Sequence, residues 1–170
     1  MEDMIKLGVS SCLLGEKVRY DGGHKLDQHL KELLGRYVEW VPVCPEVEMG
    51  LTVPREPMRL VGDAVSSRLV TTSSGIDHTD WMIQWANKKL RTLSSMDLRG
   101  FIFKSKSPSC RMRSVEVYDA FDVQSKTGIG LFAREFMARF PLLPVEDDVR
   151  LQDSSICENF MEIVIAGLKK

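Results

Sequence analysis

Three short apolar runs, each typical of a buried β-strand, end at a cysteine in a segment of small, turn-forming residues. They span residues 5–12, 38–44 and 101–110. Ligands of open α/β sheets bind outside the carboxyl ends of the strands, so three thiols at three such ends can converge although they are far apart in sequence. Three converging thiolates form a soft metal site with room for one more ligand.

Helical and strand patterns alternate along the chain. Leucines at positions 26, 30, 33 and 34 have helical spacing, and Gly35 predicts the end of that helix. Further helices are predicted over residues 76–96, 128–140 and 154–168, and strands over residues 4–12, 37–43, 68–72, 100–104 and 115–118. Residues 44–62 contain Pro45, Gly50, Pro54 and Pro57 and predict a long ordered loop. This alternation predicts an α/β fold with one parallel or mixed central sheet and helices on both faces, a Rossmann-like three-layer arrangement.

Length and charge exclude several classes of protein. A chain of 170 residues predicts one domain, over residues 1–170. The net charge of −1 gives no field for long nucleic acids or membrane surfaces, and no apolar run approaches the roughly 20 residues of a membrane helix. The acidic start at residues 1–4 runs straight into a strand and predicts no signal peptide, hence a cytoplasmic protein with reduced thiols.

The four cysteines are open to two interpretations. A buried structural thiol is the default for any single cysteine, and the chain has no C-x-x-C pair. The repeated placement of Cys12, Cys44 and Cys110 after apolar runs favours a shared site. Cys157 differs, because it lies within the pattern of the C-terminal helix, and we expect it to be structural.

Two carboxylates lie near the predicted site. Glu46 follows Cys44 by two residues and could serve as a general acid or base, although a solvated loop glutamate is the simpler interpretation. Asp21 is equally ambiguous, since its Asp-Gly-Gly setting is typical of a turn.

Hydroxyl groups and cations surround the third cysteine. The segment at residues 104–109 offers both and could cradle a phosphate, orient a polar base edge or simply form a solvated turn. Arg19, Arg55 and Arg59 add cations in the loops nearest the first two cysteines. The slightly negative chain favours a small anionic ligand over a polymer. Neither a Walker loop nor G-x-G-x-x-G occurs, so the signatures of nucleoside triphosphate and dinucleotide binding are missing.

Five motifs taken together resemble the thiouracil desulfidase family. They are Ser10-Ser11-Cys12-Leu13-Leu14-Gly15, Arg19-Tyr20-Asp21-Gly22, Val43-Cys44-Pro45-Glu46, Lys104-Ser105-Lys106-Ser107-Pro108-Ser109-Cys110 and Gly128-Ile129-Gly130-Leu131-Phe132-Ala133. The resemblance extends over a core of about residues 4–165. Arg111 departs from the pattern, because many relatives have glycine there, and we expect this cation to alter the rim of the pocket.

The resemblance implies an oxygen-sensitive [4Fe–4S] cluster with three cysteine ligands and one open iron. In this sequence the ligands would be Cys12, Cys44 and Cys110. Family members remove sulfur from thiolated uracil compounds without net redox change, and a soft iron suits a thiocarbonyl sulfur. The resemblance implies that Glu46 is the acid or base and that Ser107 binds or protonates the ring.

The substrate-binding residues predicted around this centre combine hydroxyl groups with charged side chains. They are Ser11, Arg19, Asp21, Arg55, Lys104, Lys106 and Ser109. The resemblance implies a thiolated pyrimidine base or nucleotide such as 2-thiouracil or 4-thiouridine monophosphate. Residues 48–51 and 53–57 resemble the branch often fused to an RNA-associated domain. Modified tRNA is the less expected substrate, because that second domain is absent from this sequence.

Two other functions are compatible with the same residues. The chain could be a sulfur-carrier or persulfide-binding accessory module that uses the same cluster. It could also be a plain α/β domain whose thiols are structural or bind zinc adventitiously. Turnover of 4-thiouridine monophosphate under anaerobic conditions separates the enzyme from the carrier. The brown colour of a [4Fe–4S] protein separates both from the plain domain.

Overall fold

The three strands that precede the predicted site lie side by side in one parallel sheet. Strand β1 (Ile5–Ser10) lies between β2 (Val38–Val43) and β5 (Phe101–Phe103), and β8 (Val145–Asp147) lies beyond β5. After β1 the chain forms β2 along one edge of β1, and later it forms β5 along the opposite edge. The carboxyl ends of these strands therefore border the kind of crevice in which α/β proteins bind ligands.

The computed structural model describes residues 4–167. Residues 1–3 and 168–170 lie outside it. The acidic start of the chain and the last residue of the helix predicted over 154–168 therefore stay predictions. Within residues 4–167, no helix is long and apolar enough to cross a membrane.

Helices cover both faces of the parallel sheet. Helices α1 (Gln28–Leu34) and α5 (Ser154–Ala166) pack on one face, and α3 (Thr79–Ser94) and α4 (Leu131–Arg139) pack on the other. Because side chains alternate along a strand, Ile102 enters the first core while its neighbours in β5 enter the second. The predicted α/β class with a helical layer on each face is confirmed.

A cluster of phenylalanines fixes the central strands. Phe101 stacks on Phe103 with ring centroids 4.4 Å apart, and both contact Phe132 and Phe136 of α4. A Cβ at Gly8 of β1 would lie 2.2 Å from the Phe101 ring, so this position accepts only glycine without a shift. The missing side chain lets the aromatic core reach the strand that ends at the first cysteine.

A second sheet was not predicted from the sequence. Its order is β4 (Arg68–Thr71), β3 (Met58–Val61), β6 (Val115–Tyr118) and β7 (Gln124–Gly128), with β3 and β6 parallel and both outer pairs antiparallel. It packs through Leu60, Leu69 and Val117 on a third core that includes residues of α3 and α4. The expectation of one sheet is therefore incomplete, although the fold class holds.

Several predicted boundaries need correction. Residues 44–62 are not a loop throughout, because α2 (Pro45–Glu48) and β3 lie within them. The helix predicted over 128–140 begins only at Leu131, since β7 extends to Gly128. Helix α2 has a single turn, β7 is polar with four exposed residues, and β8 has three residues. None of these elements is long or periodic enough to give a pattern.

Candidate functional site

One cavity of about 200 Å³ opens at the carboxyl ends of β1, β2 and β5. Cys12, Cys44 and Cys110 all line it, and none of them forms a disulfide. These three thiols are far apart in sequence, and their places at strand ends bring them to one cavity, as predicted. The other predicted residues that line the cavity are Ser11, Arg19, Glu46, Arg55, Lys104, Lys106, Ser107 and Ser109.

Short hydrogen-bonded turns hold the first two cysteines. Cys12 lies in a 3₁₀ turn, Ser11–Leu14, and its carbonyl accepts from the N–H groups of Gly15 and Lys25 at 3.3 and 2.9 Å. Cys44 is the N-cap of α2, where its N–H donates to the Glu48 carboxylate at 2.8 Å and its carbonyl accepts from the Glu48 N–H at 2.9 Å. This reciprocal pair is a capping arrangement that fixes the backbone on either side of the thiol.

The third cysteine is held by a serine hydroxyl and by the start of α4. The Ser107 Oγ accepts from the N–H groups of Ser109 and Cys110 at 3.2 and 3.0 Å. The N–H of Phe132 donates to the Ser109 carbonyl at 3.0 Å. A Cβ at Gly130 would lie 2.6 Å from that same carbonyl, so glycine allows the helix and the cysteine loop to approach this closely.

Burial makes all three thiols weak acids in the protein without metal. It raises the pKa of Cys12 to about 11 and raises the pKa of Cys44 and Cys110 as well. The charge of Cys44 further raises the pKa of Cys12, and both charges raise that of Cys110. Lys104 opposes the shift at Cys12, and a hydrogen bond from Ser10 opposes it at Cys110. Binding a metal must therefore displace protons from coupled thiols.

Glu46 lies in the cavity with both carboxylate oxygens bound. One oxygen accepts from the Arg55 guanidinium at 2.7 Å, and the other accepts from the Ser109 hydroxyl at 2.9 Å. The Glu46 side chain is 14% exposed and that of Arg55 is 8% exposed. A half-buried, oriented carboxylate beside three thiols is suited to proton transfer.

The cations of the site fall into two groups. Arg55 and Lys104 are held internally, since the ammonium of Lys104 donates to the Ser105 carbonyl at 2.6 Å and lies 3.5 Å from Asp148. Arg19 makes only a loose ion pair of 3.7 Å. Lys106 is exposed and forms no ion pair among residues 4–167. Arg19 and Lys106 are therefore the cations with donors available to a ligand.

Other residues named from the sequence do not line the cavity. The Asp21 carboxylate accepts from the Gly23 N–H at 2.9 Å and forms the loose pair with Arg19. Arg59, on β3, pairs at 2.8 Å with Asp122, which lies in the connection between β6 and β7. The Arg111 guanidinium lies 3.7 Å from Glu116, so its side chain does not form the predicted rim. Cys157 lies on the buried face of α5, within the first core.

The cavity lining also includes residues that were not predicted from the sequence, among them Ser10, Tyr20 and Met58. The Ser10 hydroxyl accepts from the Lys104 N–H at 2.9 Å, which links β1 to the segment that carries the third cysteine. Tyr20 and Met58 add aromatic and apolar surface. Ser10 and Tyr20 lie within motifs quoted above, so those motifs could have found them. Met58 lies at the start of the unpredicted strand β3.

The thiols fit a metal cluster better than a single ion. Among residues 4–167, no three His, Cys, Asp or Glu side chains are grouped closely enough to hold one metal ion. A cluster places each thiolate on a different iron, so its ligands surround a volume and do not meet at a point. Soft thiolates without a histidine in the lining are the donor set of an iron–sulfur cluster.

Comparisons with known proteins point the same way. The model of the 2-thiouracil desulfurase family matches residues 7–148. A solved structure of a [4Fe–4S]-dependent thiouracil desulfidase, TudS, is similar with a TM-score of 0.71 and 30% identity, over 91% of this chain and 98% of that one. The uncharacterised protein YbbK of Bacillus subtilis strain 168 is 33% identical over 131 residues, which are 74% of this chain and 85% of YbbK.

The close contact at Gly130 gives a test of how the third cysteine is positioned. We expect Gly130→Ala to displace the loop at residues 107–110, because the added Cβ meets backbone atoms that cannot rotate away. Iodoacetamide should then alkylate Cys110 faster in the metal-free variant, as measured by peptide mass spectrometry, while Cys157 reacts as before. Gly167→Ala is the control, since its Cβ would meet only the Arg99 side chain at 3.6 Å. Unchanged labelling of Cys110 would show that the helix contact does not position it.

Proposed function

Because the chain belongs to the 2-thiouracil desulfurase family, we propose that it is a [4Fe–4S]-dependent desulfidase that hydrolyses the C=S bond of a thiolated uracil. The motif-based family prediction is thereby confirmed. The observation that carries the proposal is the cavity in which three free thiols face an oriented carboxylate.

Cys12, Cys44 and Cys110 would hold the cluster. When bound, the cluster supplies a Lewis-acidic iron with affinity for the soft thiocarbonyl sulfur. The cavity offers no fourth cysteine and no histidine among its described lining residues, so the protein would leave that iron open to substrate. Burial of the Cys12 and Cys110 thiols would restrict the access of water and oxidants to the cluster.

Glu46 would supply the proton transfer. Water adds its oxygen to the thiocarbonyl carbon, the C–S bond breaks, and the sulfur leaves as sulfide. Glu46 takes one proton from that water and returns it to the leaving sulfide or to the ring. The hydrogen bonds from Arg55 and Ser109 hold the carboxylate in one orientation, so little reorganisation is needed at the moment of reaction.

Ser107 would contact the pyrimidine ring. Its oxygen already accepts from two backbone N–H groups, and its hydroxyl proton is therefore the part left for another partner. A hydroxyl donor held in this way can bind a ring oxygen or nitrogen, or supply a proton to it. Ser11 and Ser109 line the same cavity and would complete the polar contacts with the base.

The cations at the cavity favour a nucleotide over a free base. Arg19 and Lys106 are the ones with donors available, and charge-assisted hydrogen bonds to phosphate are strong. Pro57, Met58 and Pro108 give the cavity apolar walls against which a flat ring can pack. A thiouridine monophosphate would place its base among the serines and its phosphate at Lys106.

The first test combines iron content with turnover. Protein purified without oxygen should be brown, contain the iron and sulfide of one [4Fe–4S] cluster, and convert a thiolated uracil to the uracil compound and sulfide. Cys12→Ser, Cys44→Ser and Cys110→Ser should each lose the cluster, because each removes one ligand. Cys157→Ser should keep it. A brown protein without turnover would be the sulfur carrier, and a colourless protein that binds zinc would overturn the proposal.

Glu46→Gln tests the proton transfer. This change keeps the shape of the side chain and removes its basicity, so turnover should fall by about 10²- to 10⁴-fold, the usual contribution of general acid–base catalysis. Iron content should not change. Glu39→Gln, an exposed position on β2, is the matched control and should keep normal turnover. Near-normal turnover of Glu46→Gln with a full cluster would assign the base to another group.

Lys106→Ala tests the nucleotide preference. We expect the KM for 4-thiouridine monophosphate to rise about 10-fold, because one charge-assisted hydrogen bond to phosphate is lost. The KM for 2-thiouracil should stay the same, since that base has no phosphate. Lys88→Ala removes an exposed lysine from α3 and serves as control. An equal rise for both substrates would show that Lys106 does not contact the phosphate.

A further inference from the structure

Arg55 has an environment that binding a substrate anion does not explain. Its side chain is 8% exposed and pairs with Glu46, whose side chain is 14% exposed. Its Nε–H donates to the Glu46 carboxylate at 2.7 Å, and its Nη2 lies 2.7 Å from the same oxygen. Removing two charges from water is unfavourable unless they pair with good geometry and fill their remaining hydrogen bonds, and this pair meets both conditions.

The rest of the guanidinium is bound to the backbone of two loops. Nη1 donates to the Thr52 carbonyl at 3.2 Å, and Nη2 donates to the Val18 carbonyl at 2.8 Å. The backbone N–H of Arg55 also donates to the Tyr20 carbonyl at 2.8 Å. All three guanidinium nitrogens therefore have protein partners, and the loop after Cys12 is joined to the segment after Cys44.

Glu46 extends this connection to the third cysteine. Its second oxygen accepts from the Ser109 hydroxyl at 2.9 Å, and Ser109 directly precedes Cys110. A continuous chain of hydrogen bonds thus runs from Val18 through Arg55 and Glu46 to Ser109. It connects the three segments that carry the three cavity cysteines, which the parallel sheet alone brings only to neighbouring strand ends.

We propose that Arg55 is a positioning residue, which orients the Glu46 carboxylate and fixes the three cysteine segments relative to one another, and that it does not bind the substrate phosphate. The proposal rests on the proposed desulfidase function for its kinetic part only. A planar guanidinium can bind a carboxylate and two carbonyls at once, and an ammonium cannot reproduce this fork of donors. Lysine at this position is therefore only a partial substitute.

Kinetics distinguish positioning from phosphate binding. In Arg55→Ala we expect kcat to fall about 10- to 100-fold for both 2-thiouracil and 4-thiouridine monophosphate, the usual effect of losing a group that orients a reacting residue. Arg55→Lys should fall between this variant and the wild type. Guanidinium ion at millimolar concentration should restore part of the kcat of Arg55→Ala, which a general loss of folding would not allow. A rise in KM for the nucleotide alone would overturn the proposal and assign Arg55 to the phosphate.

Hydrogen–deuterium exchange gives a readout that does not depend on activity. In protein purified without oxygen, Arg55→Ala should exchange faster at residues 16–23, 44–48 and 104–111, because the link between these segments is lost. Arg68→Ala is the matched control. It removes an arginine of β4 that pairs with Asp77 and does not line the cavity. The exchange rates of the three segments should stay unchanged.

The kinetic and the exchange measurements together distinguish failure of this proposal from failure of the proposed function. If the wild type turns over no thiolated pyrimidine, the desulfidase function fails, and the exchange measurement still decides whether Arg55 couples the three segments. Unchanged exchange in Arg55→Ala, or unchanged kcat in an active enzyme, would overturn the positioning role. Should Arg55→Ala not fold, Arg55→Lys keeps the charge and replaces it in both measurements.

Discussion

The parallel pairing of β1 with β2 and β5 is the constraint on which the rest of the structure depends. Ser10 and Val43, the last residues of β1 and β2, are directly paired. The two strands therefore end side by side, and the chain continues from them into Cys12 and Cys44. Gly8 pairs with Phe101 on the other side, and its missing side chain lets the phenylalanine cluster pack against β1. The third cysteine segment therefore begins beside the first one. The thiols share a cavity because hydrogen bonds of the backbone fix three strands in register.

Hydrogen bonds between buried polar groups then fix the positions of the cysteine loops that the sheet places side by side. The Ser10 hydroxyl on β1 accepts from the Lys104 N–H, and the Ser109 hydroxyl links the third segment to Glu46. A buried polar group is unfavourable without a partner, so each of these bonds is stabilising in only one arrangement of the loops. The same bonds give the carboxylate and the thiols their orientation. The same hydrogen bonds therefore stabilise the loops and orient the side chains of the cavity.

The hydrogen bonds and ion pairs of the cavity separate cations that the protein itself holds from cations with donors available. Arg55 and Lys104 lie in the cavity wall, but protein oxygens bind their nitrogens. Arg19 and Lys106 lie at the same cavity with donors available. The sequence places several cations near the cysteines and does not indicate which of them the protein itself binds. Whether a cation is bound by the protein depends on partners distant in sequence, such as Asp148 for Lys104 and Asp122 for Arg59.

The sequence by itself determined the α/β class, the family and the three cysteines that share a cavity, because apolar runs, helical periodicity and strand-end motifs are local patterns. It also pointed to Glu46 as the carboxylate beside them. Only the tertiary structure revealed the second sheet, since β3 and β7 are short or polar and are held by neighbours and not by their own composition. Only the tertiary structure showed that Asp21 and Arg59 lie outside the cavity and that Arg55 pairs with Glu46. Those outcomes depend on which individual side chains meet across the fold, and a pattern that places three strand ends together does not specify which side chains pair there.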